Sequence, residues 1–320
     1  MAALFDQYPS PLVDLRDVTS SYLQPLLQEE IEEWRADLDW DYRASADLVR
    51  RFVDMRALTG FALPGRSEAA GYGYYVCEDG KGLIGGLYVG RRYRSIENEN
   101  TLLTAILDAM WRTPGTRRVE AQLMMLSSPL HRSMPSPRWF RAFPRKFFEI
   151  SLEEIRTLPP REPKVALAPW SESRQEDAAR LIAAAYSGHV DSQINDQYRS
   201  ASGARRFLTN IVQYPGCGTF FAPAACVATP ANGRGLYGIC LTSMVAPEVG
   251  HITQVCVSPA FRGTGLGYEL LRRSLIALAA HGCRKVSLTV TNANTSALRL
   301  YERMGFVNRR DFAAYVWEMK

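Results

Sequence analysis

The sequence predicts two domains of mixed helices and strands, an α/β (α+β) class in which each domain contains a mostly antiparallel sheet. The chain has 320 residues, a length typical of two domains. The order of predicted elements in the first half returns in the second half after about 170 residues. Between the halves, residues 158–163 (Leu-Pro-Pro-Arg-Glu-Pro) are too rich in proline for a helix or a central strand. These observations predict domains at residues 1–157 and 165–320, joined by a linker at residues 158–164.

Each half begins with helices and continues with strands. In the first half, apolar residues recur at helical spacing over residues 15–57, which predicts two helices. The patterns that follow predict strands at Leu58–Leu63, Gly73–Cys77, Leu83–Val89 and Arg118–Leu126 and a helix at Thr101–Trp111. In the second half, helices are predicted at Glu172–Ala185 and Ala204–Val212, and strands at Phe220–Ala228, Leu236–Val245, Ile252–Val257 and Val286–Val290.

The composition indicates a globular protein of a reducing compartment. Hydrophobic residues make up 47% of the chain and charged residues 22%. No run of about 18 apolar residues is present, and the first residues, MAALFDQYPSP, do not resemble a signal peptide. The six cysteines and four histidines are dispersed, so neither a disulfide framework nor a metal site is expected. We therefore expect a cytoplasmic protein without a membrane partner. The net charge of +5 favours an anionic cofactor without implying nucleic acid.

An anion site is predicted where the strand Ile252–Val257 leads into the next helix. Ser258 and Pro259 end the strand, because proline cannot extend a sheet ladder. Gly263, Gly265 and Gly267 then precede a helical pattern of leucines. Glycines let backbone N–H groups turn toward a ligand, and a helix N-terminus carries about half a positive charge. Arg262 adds a full positive charge, so this loop is predicted to hold a pyrophosphate.

The glycine spacing excludes two common phosphate loops. A Walker loop ends in Gly-Lys-Ser/Thr, and a dinucleotide loop is followed about 20 residues later by an acid; neither feature is present here. The pattern Arg262-x-x-Gly265-x-Gly267 instead resembles the coenzyme A loop of the GNAT superfamily of N-acetyltransferases. Residues 294–306 (Asn-x-x-Ala-Leu-x-Leu-Tyr-Glu-x-x-Gly-Phe) resemble the second GNAT signature at the expected distance.

The resemblance implies a fold, a cofactor and a reaction. Each domain would be a mixed, mostly antiparallel twisted sheet flanked by helices. The second domain would bind acetyl-CoA and transfer the acetyl group to a primary amine by direct attack in a ternary complex, without a metal. In this family pantetheine lies between two diverging strands, here those of Val255–Val257 and Val286–Val290. The cofactor-binding residues that the resemblance implies are Val255, Cys256, Val257, Arg262, Gly263, Thr264, Gly265, Leu266, Gly267, Asn294 and Tyr301.

Two residues are candidates for moving protons. Tyr301 lies one helical turn past Ala297, where GNAT enzymes often keep a tyrosine near the coenzyme A sulfur. A phenol can protonate a departing thiolate, so Tyr301 is the candidate general acid; the alternative is that it only packs on its helix. GNAT enzymes often place a glutamate base near the start of the anion-site strand. Here His251 is close to that position, with Glu248 as a second candidate. The alternative for His251 is simple exposure at a strand end.

The first half resembles a degenerate GNAT copy. Its anion loop would be residues 89–94 (Val-Gly-Arg-Arg-Tyr-Arg), where one glycine replaces three. The arginines there either contact phosphate or form a solvated charged loop. This half is therefore expected to be structural or to shape the acceptor site. Basic and aromatic side chains are mixed at Arg132, Arg138, Trp139, Phe140, Arg141, Arg145, Lys146 and Phe147. Such a mixture resembles a site for single-stranded nucleic acid, but packing within the fold is the favoured interpretation.

The acceptor site is predicted in the connection Ser187–Gly203, which is long and polar. Asp191 and Asp196 either attract a cationic amine or serve loop solvation. Small-molecule and peptide amines both remain candidate acceptors, and no oligomeric state is implied. A second function class is a non-catalytic acyl-CoA-binding protein of the same fold, since an intact anion loop serves either class. Tyr301 favours the enzyme, because a binding protein needs no acid at the sulfur.

Overall fold

A computed structural model of the chain describes residues 12–153, 155–161, 165–214, 216–230 and 235–319. The helices are α1 (Ser20–Leu38), α2 (Arg43–Asp54), α3 (Ile96–Arg112), α4 (Gln175–Ala185), α5 (Asp191–Ile194), α6 (Ala201–Gln213), α7 (Leu266–Ala280) and α8 (Thr295–Arg303). The strands are β1 (Val13–Asp14), β2 (Gly60–Pro64), β3 (Ala69–Glu78), β4 (Lys81–Val89), β5 (Arg118–Gln122), β6 (Phe140–Ser151), β7 (Ala166–Pro169), β8 (Thr219–Phe220), β9 (Cys226–Thr229), β10 (Gly238–Ala246), β11 (Val249–Val257), β12 (Lys285–Thr291) and β13 (Val307–Glu318).

The chain divides into two compact units that are not continuous in sequence. The N-terminal unit comprises Met1–Trp34, Tyr42–Ala142 and Ala313–Lys320, and the C-terminal unit comprises Arg35–Asp41 and Phe143–Phe312. Within the linker predicted at residues 158–164, residues 162–164 lie outside the described residues. The position of the linker stays a prediction.

The N-terminal unit is a mixed sheet covered by helix α3. The strand order is β1-β2-β3-β4-β5-β13. Strands β4 and β5 are parallel, whereas the other neighbouring strands are antiparallel. Leu102, Ile106 and Met110 of α3 are fully buried against the sheet. The last strand of the chain closes this unit, with Tyr315 and Trp317 in its core.

The C-terminal unit is a mixed sheet with helices on both faces. The strand order is β6-β12-β11-β10-β9-β7, with β8 paired to β10 and with β11 and β12 parallel. One face, called here the α7 face, packs Leu270 and Leu275 of α7 against Val286. The other, called the α4 face, packs Ile182 of α4 against Leu241. The predicted fold class, a mixed sheet flanked by helices in each half, is confirmed.

Two long strands were not predicted, namely β6 and β13. No strand was predicted at residues 140–151, yet a strand forms there with Pro144 inside it. The β6–β12 ladder starts at the next residue, Arg145, so no ladder bond requires an N–H of Pro144, and its carbonyl accepts from the amide of Asn292 at 2.8 Å. The predicted strand Phe220–Ala228 is in fact β8 and β9, separated by a helical turn at Ala222–Ala224 that contains Pro223.

The basic and aromatic residues noted at positions 132–147 make contacts inside the fold. Arg132 forms a buried ion pair with Glu99 of α3, and both side chains are 1% exposed. Phe147 is fully buried, and Lys146 pairs with Asp311. These contacts support the packing interpretation. Separately, no helix among the described residues is long and apolar enough to cross a bilayer.

The buried pair yields a stability prediction. Replacing Arg132 with Met leaves the Glu99 carboxylate buried without its cationic partner, so we expect the free energy of unfolding to fall by about 3–5 kcal/mol. Urea denaturation measures this change. Glu99→Gln combined with Arg132→Met should recover most of the loss. The exposed Arg141→Met control, which removes an ion pair with Glu318, should cost less than about 1 kcal/mol. An Arg132→Met protein as stable as the parent would contradict the assignment of this pair.

Candidate active site

Strands β11 and β12 run together and then part, which opens a gap in the sheet of the C-terminal unit. Their parallel pairing covers residues 249–252 of β11 and ends at Ile252 opposite Leu288. Beyond that point β11 stays paired with β10 as far as Val257, and β12 stays paired with β6 as far as Thr291. Each strand therefore presents one free backbone edge to the gap. A free strand edge can bind an extended ligand through the same backbone hydrogen bonds that would bind an additional strand.

A β-bulge coincides with the point where the strands part. Leu241 of β10 faces Gln254, whereas the next residue, Thr242, faces Ile252, so Thr253 is the extra residue of β11. The Thr253 hydroxyl donates to the carbonyl of Leu241 at 3.1 Å, which fixes the bulge. A bulge bends its strand and increases the local twist. This bend turns β11 away from β12 where the gap begins.

The predicted glycine loop lies at one end of the gap and has the backbone that an anion site needs. Gly263 and Gly265 both have positive φ, +76° and +87°, which L side chains rarely adopt. Gly265 is the N-cap of α7, so the free N–H groups of the first helical turn lie beside it. A Cβ at Gly267 would lie 3.5 Å from Val257 and 3.8 Å from Leu300. The start of α7 thus packs closely against both the end of β11 and helix α8.

Two arginines lie at the glycine loop and make different contacts. The Arg262 side chain donates to the carbonyl of Ala185 at 2.6 Å and so caps the end of α4. Its contact with phosphate stays a prediction. Arg161 was not predicted as a site residue, because it belongs to the proline-rich segment. Its guanidinium lies over the Tyr268 ring at 5.2 Å, and its Nη1 is 3.2 Å from the position of a Cβ at Gly265. This places a second cation at the loop.

Helix α8 brings Tyr301 to the α7 face of the gap. Asn294 is the N-cap of α8, and its side chain accepts from the amide of Ala297 at 3.3 Å. Tyr301 is 6% exposed and packs edge-on against Phe148 of β6. Burial raises the pKa of the Tyr301 phenol above its ordinary value, so the hydroxyl stays protonated at neutral pH. Among the described residues, that hydroxyl has no hydrogen-bond partner.

His251 lies one residue before the end of the β11–β12 pairing, on the α4 face. It is 4% exposed rather than exposed at a strand end, and its Nδ1 is 2.9 Å from the Ser287 hydroxyl. The Trp40 ring stands edge-on to the imidazole at 5.0 Å. Burial, together with the positive charge of Arg145, lowers the pKa of His251 from 6.5 to about 3. The imidazole is therefore neutral at physiological pH. The second base candidate, Glu248, is exposed in the turn before β11 and lies 3.8 Å from Arg284.

A row of hydroxyls on β12 organises the α4 face of the gap. Ser287, Thr289 and Thr291 alternate with core residues and point to this face. Each contacts a titratable side chain. Ser287 contacts His251, Thr289 accepts from Arg145 at 3.0 Å, and Thr291 donates to Asp191 of α5 at 2.5 Å. The alternation was visible in the sequence, but the partners come from β6, β11 and α5.

Across the gap from this row, Gln254 of β11 holds two tyrosines. Its amide donates to the Tyr186 hydroxyl at 2.8 Å, and its carbonyl accepts from the Tyr198 hydroxyl at 3.4 Å. The two rings stack with centroids 4.5 Å apart. Tyr198 belongs to the connection predicted to form the acceptor site, and so does Asp191. The α4 face of the gap is therefore polar and aromatic, which suits an amine.

The N-terminal unit has the same parting of strands but fills its anion loop with its own carboxylates. Pairing of β4 with β5 ends at Ile84, and Gly85 is the bulged residue. The amide of Arg91, at the start of the loop, donates to Glu29 of α1 at 2.7 Å. Arg94 forms a bidentate ion pair with Glu33 of α1. Because Glu29 and Glu33 already bind the loop amide and Arg94, the loop of this copy is a poor phosphate site.

Comparisons with known proteins agree with this geometry. Residues 194–306 match the acetyltransferase (GNAT) family. A mycothiol acetyltransferase of Corynebacterium glutamicum is 38% identical over 84 residues, which is 26% of this chain and 29% of that protein. The chain thus spans less than a third of this relative.

Two solved structures share the fold over most of their length. A GCN5-related N-acetyltransferase from Sphaerobacter thermophilus has a TM-score of 0.67 at 20% identity, covering 98% of this chain and 97% of that one. A tandem GNAT protein from the clavulanic acid biosynthesis pathway has a TM-score of 0.58 at 16% identity, covering 82% and 83%. The family match covers only the C-terminal half, which agrees with a degenerate N-terminal copy.

The environment of His251 yields a prediction. Because its pKa is lowered to about 3, the imidazole should stay neutral when the pH falls from 8 to 5. NMR of the 15N-labelled histidine side chains measures this, and the His251→Gln variant identifies the resonance. Replacing Trp40 with Ala should admit water and move the titration of His251 toward its ordinary value. A parent resonance that titrates between pH 6 and 7 would contradict the buried, neutral assignment.

Proposed function

Since residues 194–306 form a GNAT acetyltransferase domain within a tandem GNAT fold, we propose that the chain is an N-acetyltransferase that moves an acetyl group from acetyl-CoA to a primary amine. The amine attacks the thioester directly while both substrates are bound. The observation that carries this proposal is the coincidence of three features at one gap. These are two free strand edges, a glycine loop at a helix N-terminus and the unpartnered hydroxyl of Tyr301.

The gap and the loop fit the two parts of acetyl-CoA. Free backbone groups of β11 beyond Thr253 are suited to the amides of the pantetheine arm, which they would bind like a neighbouring strand. The loop amides between Gly263 and Gly267 and the guanidinium of Arg161 suit the diphosphate. When bound, acetyl-CoA supplies an activated acetyl group. The chain fixes that group in position and thereby lowers the entropic part of the barrier.

Tyr301 serves as the general acid in this proposal. As the nitrogen–carbon bond forms, the carbon–sulfur bond breaks and the thiolate takes a proton from the phenol. The raised pKa of Tyr301 keeps that proton on the phenol at neutral pH. Transfer to a thiolate is then uphill in free energy, so a short hydrogen bond to the sulfur contributes much of the effect. Asp191 and Arg145 also act electrostatically on this phenol, as expected for a group that faces the gap.

His251 orients the site but is poorly placed to act as its base. The imidazole is 4% exposed, so an ammonium group has little access to its nitrogens. Its contact with Ser287 and the cover of Trp40 hold it in one orientation. We propose that His251 shapes the wall of the acceptor site and that another group receives the proton of the amine. The role of His251 as base stays a prediction.

The acceptor class is proposed from the wall of the gap. The relative named mycothiol acetyltransferase indicates that a small-molecule acceptor is compatible with similar sequences. A panel of small primary amines and short peptides with free N-termini, assayed by release of the coenzyme A thiol, tests the proposal. Thiol release that depends on one of these amines supports it. Tight acetyl-CoA binding with no release from any amine between pH 6 and 9 would overturn it in favour of a non-catalytic binding protein.

Gly265→Asp should abolish acetyl-CoA binding. The residue has φ of +87°, its Cβ would contact Arg161, and the new carboxylate would repel phosphate. We expect the dissociation constant, measured by calorimetry, to rise by at least about 100-fold. Gly115→Asp is a matched control, because Gly115 has φ of +84° but open space around it in the N-terminal unit. Equal binding by the Gly265→Asp protein and the parent would contradict the loop assignment.

Tyr301→Phe should slow turnover by about 10- to 1000-fold with little change in acetyl-CoA affinity. The ring and its packing against Phe148 are kept, and only the hydroxyl is lost. Steady-state kinetics and calorimetry separate the two quantities. Tyr75→Phe is the control, since Tyr75 is a buried tyrosine in the core of the N-terminal unit and its loss of a hydroxyl should leave turnover unchanged. Parallel losses of turnover and affinity would reassign Tyr301 to cofactor binding.

A further inference from the structure

From the contacts on the α4 face, and resting on the proposed function, we infer that Asp191 binds the ammonium group of the acceptor and receives its proton. The carboxylate belongs to the short helix α5, in the connection between α4 and α6. Its side chain is 15% exposed, so it is not a freely solvated loop residue. The substrate class is therefore a primary amine that arrives with a positive charge.

Asp191 is fixed at the rim of the gap by β12. The Thr291 hydroxyl donates to its Oδ1 at 2.5 Å, and Thr291 is the last residue of the strand edge that faces the gap. Thr291 is 1% exposed, so it holds the carboxylate against the sheet rather than in solvent. The carboxylate thus lies beside the end of the strand edge that faces the gap. A group fixed in this way loses little further freedom when a ligand binds.

The second oxygen of Asp191 has no donor among the described residues. His189 lies nearby, with its Nδ1 3.7 Å from Oδ2. That nitrogen, however, accepts from the backbone amide of Asp191 at 3.1 Å, so it carries no proton to donate. Oδ2 is consequently the oxygen that can accept from a ligand. A carboxylate with one satisfied and one open oxygen is suited to an ammonium group.

The surroundings favour a cation and provide two walls for it. Burial raises the pKa values of both Tyr186 and Tyr198, and the negative charge of Asp191 adds to the increase, so Asp191 acts on the stacked ring pair. Aromatic faces attract ammonium groups. Asp191 also acts on Tyr301, which approaches from the opposite face of the sheet. An acyl group held in the gap would lie between the bound amine and the acid.

The proton balance is simple. One proton passes from the ammonium nitrogen to Oδ2 of Asp191, and the freed electron pair forms the bond to the carbonyl carbon. The carbon–sulfur bond breaks, and the thiolate takes the phenol proton of Tyr301. The acylated nitrogen still carries a second proton, which it loses to solvent, so the amide product leaves neutral. Solvent takes the proton from Asp191 and returns one to Tyr301, and the balance releases one proton. No metal or redox partner enters this balance.

Asp191→Asn tests the inference with the smallest change in shape. The amide oxygen can still accept from Thr291, but an NH2 group replaces the oxygen that faces the ammonium. Calorimetry in the presence of coenzyme A should show amine binding weakened by about 10- to 100-fold, with acetyl-CoA affinity within about twofold of the parent. With an amine that the parent acetylates, kcat should fall as well. Glu176→Gln, which removes an exposed carboxylate of α4 that pairs with Arg180, is the control and should change neither quantity.

The outcomes separate this inference from the proposed function. Unchanged amine binding and kinetics in the Asp191→Asn protein would overturn it while leaving acetyl transfer intact. If the parent turns over no amine, the proposed function fails, and the inference about Asp191 is then tested by amine binding alone. Binding that depends on Asp191 supports the inference, whereas a parent that binds no amine of the panel overturns it. Loss of acetyl-CoA affinity in the variant would also overturn it, because Asp191 would then serve the cofactor.

Discussion

The site of the C-terminal unit depends on one constraint, the parting of β11 from β12 at Ile252. The extra residue, Thr253, bends β11 while β10 keeps its hold on the rest of the strand. Everything proposed for the site uses this gap. The glycine loop continues the bent strand, α8 places a phenol on one face, and α5 places a carboxylate on the other. A fully paired sheet would have satisfied the same backbone groups and left no room for a thioester.

The N-terminal unit shows that the parting alone is not sufficient. It has the same bulge, at Gly85, and the same end of parallel pairing. There, however, Glu29 and Glu33 bond the loop amide and arginine that an anion would need. An internal carboxylate is always present at high effective concentration, so an external phosphate competes poorly with it. The two halves therefore share a fold while differing in the groups that their loops leave free.

Much of the fold follows from local patterns, and much of the site does not. The helices and most strands could be placed from spacing, and the glycine loop was predicted where the structure has positive φ at Gly263 and Gly265. Strand β6 was not predicted because Pro144 interrupts its pattern, and β13 was not predicted because residues 308–311 near its start are polar. Arg161 and Asp191 are far apart in sequence from the loop and from β12. Their contacts with Tyr268 and Thr291 arise only when the chain folds, so no spacing rule could reveal them.

The assignment of β13 to the first unit bears on how the protein is made. Strand β5 pairs with Ala314–Glu318, the end of the chain, and β12 pairs with β6, which precedes the proline-rich segment. A ribosome releasing the N-terminal half would therefore leave the edge of β5 exposed until β13 has also been synthesised. Separating the gene at the proline-rich segment would leave each product short of one strand. Exposed strand edges promote aggregation, so we expect the two halves to fold without aggregating only when they are translated as one polypeptide.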